Sequence, residues 1–157
     1  MTLKPLRILA VGRLRTPFWK DAADYYRSRL VRWRRLTETC LRDADPSLSP
    51  ADRAARESRA ILDALTPEDI PICLDERGTC RTSREFASFL SALSEDVNRV
   101  PCFIIGGAFG YDDSVRRAAR HLIAFGPLTL PHELARVVLF EQLYRAESIL
   151  RNIPYHH

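Results

Sequence analysis

Residues 102–157 read CFIIGGAFGYDDSVRRAARHLIAFGPLTLPHELARVVLFEQLYRAESILRNIPYHH, and this stretch decides the fold. Cys102 to Ile105 and His121 to Phe125 have the composition of short buried strands, and each runs into a loop of small or ring-locked residues and then a helix. Repeated strand-loop-helix units build α/β proteins, whose free main-chain amides at carboxyl strand ends and helix starts meet ligands. The long helix after Pro131 carries Ala135, Val137, Val138, Leu139, Phe140, Leu143, Ala146, Ile149 and Leu150. It is apolar around more than one stripe, so it is expected to be covered by its own sheet and by a second subunit. The chain then closes with Pro154-Tyr155-His156-His157.

The same alternation extends upstream. Leu6 to Val11 reads as a first strand stopped by Gly12, and Trp19, Ala22, Ala23, Tyr26 and Leu30 recur at helical spacing. Leu36 to Leu41 is a second strand, Asp43 to Pro50 a polar link, and Pro50 opens a charged helix with Ile61, Leu62 and Leu65 toward a core. Ile70 to Leu74 is a third strand, followed by a turn at Asp75-Glu76-Arg77-Gly78. Thr82 and Glu85 have capping-box spacing, and Phe86, Leu90, Leu93 and Val97 continue one apolar helical face. Strands alternating with helices predict an α/β fold, a mostly parallel sheet with helices on both faces. At 157 residues, 1–157 is expected to form one domain.

Hydrophobic content of 46% with 28% charged residues is the mix of a soluble protein, and no apolar run approaches the ~18 residues of a membrane span. The amino terminus reads as a strand rather than a signal peptide, which places the protein in the cytoplasm. Cys40, Cys73, Cys80 and Cys102 form no Cys-x-x-Cys pair and have no histidine at metal spacing, so no metal site is expected. The net charge of +4 is uneven: residues 1–42 hold eleven Lys or Arg against three acids, residues 43–69 three against seven. Arg27-Ser-Arg-Leu-Val-Arg-Trp-Arg-Arg35, interleaved with Tyr25, Tyr26 and Trp33, is either a solvated helix face over core aromatics or a surface for phosphates and unpaired bases.

Two loops are candidate sites. Gly106-Gly107-Ala108-Phe109-Gly110 follows a strand and precedes Asp112 or Asp113, either of which can cap the next helix. It lacks the Gly-x-Gly-x-x-Gly spacing of a dinucleotide site, and a tight structural turn is the plain alternative. Phe125-Gly126-Pro127-Leu128-Thr129-Leu130-Pro131-His132 precedes the long helix, and its open amides suit a flat ligand. Pro127 has no N–H to offer. Arg136, Glu141, Tyr144 and Arg145 stand out on an apolar helix; interface salt bridges, including an Arg136–Glu141 pair, are the alternative to a functional role.

Leu74-Asp75, Phe103-Ile-Ile-Gly-Gly107, Leu128-Thr-Leu-Pro-His132, Arg136-Val-Val138, Glu141-Gln-Leu-Tyr-Arg-Ala146 and Pro154-Tyr-His156 occur in one order. Together with Ala10-Val-Gly12 they resemble, nearly end to end, the RlmH family of small SPOUT-class RNA methyltransferases. The resemblance implies a carboxyl-terminal trefoil knot that holds S-adenosylmethionine, a homodimer, and methylation of N3 of a pseudouridine in large-subunit (23S) ribosomal RNA within the assembled ribosome. It implies cofactor contacts at Leu74, Gly106 and Phe125, Gly126, Pro127, Leu128, Thr129 and Leu130. It also implies an active site of His132, Arg145, Tyr155 and His156, in which one subunit's tail completes the other's pocket. A non-catalytic ribosome-associated module of the same fold, and a nucleotide enzyme using residues 106–110 for phosphate, stay open as alternatives.

Overall fold

The computed structural model describes residues 3–157. Ten elements alternate along the chain: β1 (Pro5–Val11), α1 (Pro17–Leu30), β2 (Arg35–Leu41), α2 (Pro50–Ala64), β3 (Asp69–Cys80), α3 (Ser83–Leu93), β4 (Val100–Ile105), α4 (Asp113–Ala118), β5 (His121–Ala124) and α5 (His132–Leu150). The strands form one sheet in the order β2-β1-β4-β3-β5, every pairing parallel. The predicted α/β sheet with helices on both faces is therefore the observed one.

Because side chains alternate across a strand, each buried strand feeds two cores. From β1, Leu6, Ile8 and Ala10 point to the core shared with α1, α3 and α5, which contains Leu30, Leu90, Leu139, Phe140 and Leu143. Leu9 and Val11 point to the opposite core, with Ile61 of α2 and Val115 of α4. The helix starts follow local chemistry. Ser49 accepts from the Asp52 N–H at 3.1 Å, Thr82 and Glu85 close the expected capping box, and Asp112 rather than Asp113 caps α4.

Three sequence expectations are corrected. The turn at Asp75–Gly78 lies inside β3: Leu74 and Thr79 both pair with Ile123, so the four intervening residues bulge out and the strand resumes beside β5. Gly78 is required there, since a Cβ would lie 2.6 Å from the Ile123 and Leu122 backbone. Val97 lies beyond α3, which ends at Leu93, and is 91% exposed; the Asp96 carboxylate accepts from the Asn98 N–H at 2.9 Å and turns the chain into β4. Arg136 does not pair with Glu141. It is 3% exposed and donates to the carbonyls of Val11 (3.2 Å) and Gly12 (2.8 Å), which ties α5 to the end of β1.

The arginine-rich run resolves into both of its readings. Arg34 is buried and donates to Glu147 and to Ser94 Oγ at 2.9 Å, and Arg27 is held by Asp24 and Glu38. Trp33 stacks on Tyr144 of α5 with ring centroids 5.4 Å apart. Arg29, Arg32 and Arg35 remain outside these pairs, with Arg32 and Arg35 exposed and Arg29 over the Tyr25 ring at 3.7 Å.

Candidate active site

The carboxyl ends of β3, β4 and β5 open into a cleft of about 710 Å³. This is the edge at which open parallel sheets bind ligands, and its volume lies in the range of small-molecule sites. One wall is the glycine loop after β4, another is the loop 125–131 after β5, and Leu74, Asp75 and Glu76 of the β3 bulge close the third side. Leu74, Gly106, Phe125, Gly126, Leu128, Thr129 and Leu130 all line the cleft, as does His132 at the start of α5. Pro127 is the one residue of 125–130 that does not.

The glycine loop is a braced turn. Gly110 N–H donates to Gly107 O at 3.0 Å, and the two residues form an antiparallel bridge that leaves Ala108 and Phe109 at the tip. Gly110 has φ +70°, a conformation costly for other residues. At Gly106 a Cβ would stand 2.8 Å from the Tyr111 ring and 3.1 Å from Gly110, so glycine sets the shape of the cleft floor. From behind, α2 supports the loop. Gly107 lies against the Glu57 carboxylate, where a Cβ would be 2.6 Å from Oε2, and Ser58 Oγ accepts from the Asp112 N–H at 2.8 Å. Burial pushes the Glu57 carboxyl above its usual range.

Tyr111, buried below the loop, donates its hydroxyl to the Leu74 carbonyl and fastens the glycine loop to β3. Burial pushes its phenol pKa up, which keeps it a donor at any working pH. Asp75 accepts from Arg116 Nε at 2.5 Å and from the Arg77 N–H at 2.8 Å, while Thr129 Oγ1 donates to Glu76 at 3.1 Å and pins loop 125–131 to the bulge. Tyr111, Asp75, Glu76 and Arg116 line the cleft without having been singled out as site residues. The adjacent Asp75-Glu76 pair directly after an apolar strand was the available signal; for Tyr111 it was an aromatic next to Gly110.

Arg145, Tyr155 and His156 come together, but elsewhere. Arg145 donates to Glu141 Oε1 from Nε (2.9 Å) and NH2 (2.5 Å), and its NH1 stands 3.3 Å from His156 Nδ1. Tyr155 OH donates to the same Glu141 oxygen at 3.2 Å, its ring lies 4.7 Å from the Arg145 guanidinium and 4.7 Å from the Tyr144 ring. The hydrogen bonds to Glu141 hold the Arg145 pKa above its ordinary value. A guanidinium can only donate, so in this arrangement His156 Nδ1 accepts and the neutral ring carries its proton on Nε2. Thirteen residues of α5 separate Arg145 from His132, about 20 Å along the axis. Within one chain the cluster is not part of the cleft.

His121 is an edge-strand residue whose ring meets Phe89 edge-on at 5.1 Å, and burial lowers its pKa. Cys73 and Cys102 are buried between sheet and helices, with thiols pushed up to about 12 by desolvation; Cys40 and Cys80 are exposed. Among the described residues no helix is long and apolar enough to cross a membrane.

Residues 5–156 match the family model described as predicted SPOUT methyltransferase. The protein named ribosomal RNA large subunit methyltransferase H of Nitratidesulfovibrio vulgaris (strain DSM 19637 / Miyazaki F) is 56% identical over 155 residues, which cover 99% of this chain and all of that one. Its namesake in Lawsonia intracellularis is 54% identical over the full length of both. Among solved structures, a "probable methyltransferase" from Bordetella pertussis Tohama I has a similar fold, with TM-score 0.54 at 12% identity over 92% of this chain and 94% of that one.

Proposed function

This chain belongs to the SPOUT methyltransferases, and from that premise we propose that it transfers a methyl group from S-adenosylmethionine to N3 of a pseudouridine in large-subunit (23S) ribosomal RNA, acting on the assembled ribosome in the cytoplasm. The observation that carries the reading is the cleft itself: a floor shaped by Gly106, apolar walls from Leu74, Ile105, Leu128 and Leu130, and the Asp75-Glu76 acids at one side. A flat purine, a ribose and a cationic sulfonium fit that donor and acceptor set. Leu74, Gly106 and residues 125–130 would hold the cofactor, whose sulfonium supplies an already activated methyl group.

What this chain's residues must add is alignment and removal of one proton from the base. His132 stands at the cleft; Arg145, Tyr155 and His156 do not. We therefore infer a homodimer in which the tail of one subunit reaches the cleft of its partner. Exposed Leu150 and Ile153 beside the tail and exposed Leu128 and Phe125 at the cleft support such an interface. There, Tyr155 orients the base and Arg145 stabilises its anion. His156 either offers Nε2–H to a base carbonyl or, once Arg145 releases Nδ1, takes the proton. The strand order supports a knotted passage, since the chain crosses from β4 over β3 to β5 and returns through loop 125–131, pinned to the β3 bulge, to the opposite face of the sheet.

The test is transfer of labelled methyl from S-adenosylmethionine to ribosomes lacking this modification, by the full chain and by one ending at Pro154. Incorporation at a single pseudouridine, lost on truncation, is the expected result. Binding of ribosomes without transfer would replace the reading with that of a binding module.

A further inference from the structure

We propose that Phe109, backed by Arg53, is a stacking platform for an unpaired nucleotide of the RNA substrate at the mouth of the cleft. The proposal deepens the reading of this chain as an RNA methyltransferase and rests on it.

The tip of the glycine loop is an unusual place for this ring. Phe109 is 49% exposed, although loops favour small and polar residues at such positions. It is not on a mobile flap. The turn beneath it is closed by the Gly110–Gly107 hydrogen bond, seated on the Glu57 carboxylate at Gly107 and tied to Ser58 through Asp112. A solvent-facing aromatic held by a braced turn keeps its orientation without an ordering cost on binding.

Arg53 covers one side of the ring, its guanidinium carbon 5.0 Å from the centroid. Cation–π contact of this kind fixes the plane of the ring and raises local positive charge. Exposed Arg56 follows on α2, and exposed Arg15, ion-paired with Asp43 at 2.6 Å, lies on the same edge of the sheet. An exposed aromatic beside arginines is the combination that binds single-stranded nucleic acid, by stacking on any base and neutralising the adjacent phosphate. Phe109 lines the rim of the cofactor cleft, so a base stacked there would be a near neighbour of the one being methylated.

The experiment compares the full-length protein with Phe109→Ala, Phe109→Leu and Phe109→Trp on ribosomes lacking the modification. Affinity is measured by co-sedimentation, KM by methyl transfer, and S-adenosylmethionine affinity by calorimetry. Alanine substitution of a base-stacking aromatic costs roughly 5- to 150-fold in affinity, so Phe109→Ala and Phe109→Leu should raise the ribosome Kd and KM by about tenfold. Phe109→Trp should restore both, and cofactor affinity should stay within about twofold throughout. Arg53→Ala should flatten the salt dependence of ribosome binding.

Leucine rescuing as well as tryptophan would make the site a packing contact and overturn the proposal. So would a loss of cofactor affinity parallel to the loss of ribosome affinity, or an unchanged ribosome Kd in Phe109→Ala. If the wild-type chain binds ribosomes but transfers no methyl, the reaction falls while the order of the ribosome affinities still decides the platform.

Discussion

The two ends of α5 are built from different material. Its first turn opens onto a cleft whose shape comes from backbone: Gly106 and Gly110 at the floor, residues 125–131 along the wall, and a β3 bulge that only glycine at 78 permits. Its last turns carry a cluster built from side chains, Arg145, Glu141, Tyr155 and His156, in mutual hydrogen bonds. A backbone site can cradle a cofactor but has few groups to handle a proton, and the side-chain cluster has the groups but lies outside the cleft. Each supplies what the other lacks, about 20 Å away along a rigid helix. The proposed chemistry uses both, and the proposed dimer is what would bring them together.

Subunit mixing breaks that comparison most sharply. Gly106→Val should abolish cofactor binding, since even a Cβ would stand 2.8 Å from the Tyr111 ring, while a chain ending at Pro154 should bind cofactor but not turn over. Unfolded and refolded together in equal amounts, the two inactive chains should recover about one quarter of wild-type transfer, because half the dimers would be mixed and each would own one complete site. No recovery, from material shown to contain mixed dimers, would mean that tail and cleft work within one chain.

The next effect concerns what holds the last turns of α5. Glu147 and Arg34 are paired with side chains 3% and 4% exposed, and Ser94 completes the network. Glu147→Gln leaves a buried guanidinium without its counter-charge and should cost about 3–5 kcal/mol in urea denaturation. Replacing both residues by methionine should be nearly neutral by the same measurement. A small loss in the single variant would show the tail end to be wetter than the cleft end.

Sequence reading and structure part at the same division. Strands, caps and the loops 106–110 and 125–131 were legible because apolar runs, glycines and capping residues act locally. The resemblance supplied His132, Arg145, Tyr155 and His156, but no periodicity says that three of these gather at one end of a helix and the fourth at the other. The β3 bulge was read as a turn because Asp-Glu-Arg-Gly is turn chemistry; what carries the strand past it is pairing of Thr79 and Cys80 with a strand some forty residues later. Arg34 and Arg136 were two arginines among 22, and only tertiary packing separates these buried cations from the exposed ones.

Within the cluster, His156 distinguishes two roles at the level of about a hundredfold in turnover. If its Nε2–H donates to the base, His156→Gln, which places an amide N–H in the same region, should keep most of the rate that His156→Ala loses. If Nδ1 takes the proton, Gln should fail as badly as Ala.

The smallest effect tests the brace under the cleft. Glu57 is buried against Gly107 with Oε2 unpartnered, and desolvation raises its pKa in the folded protein above the ordinary carboxyl value. A carboxyl raised on folding favours the native state while it is protonated, and that advantage is lost as pH climbs from the ordinary value through the raised one. Glu57→Gln keeps the shape and removes the charge. It should therefore match the wild type near pH 4 and exceed it at pH 7 by about 1 kcal/mol, or about 2–4 °C in Tm. Arg53, one turn earlier on α2, pulls the Glu57 pKa the other way. A variant less stable than wild type at pH 7 would mean that the ionised Glu57 is paired with Arg53, and the turn bearing Phe109 would then be held by charge rather than by fit.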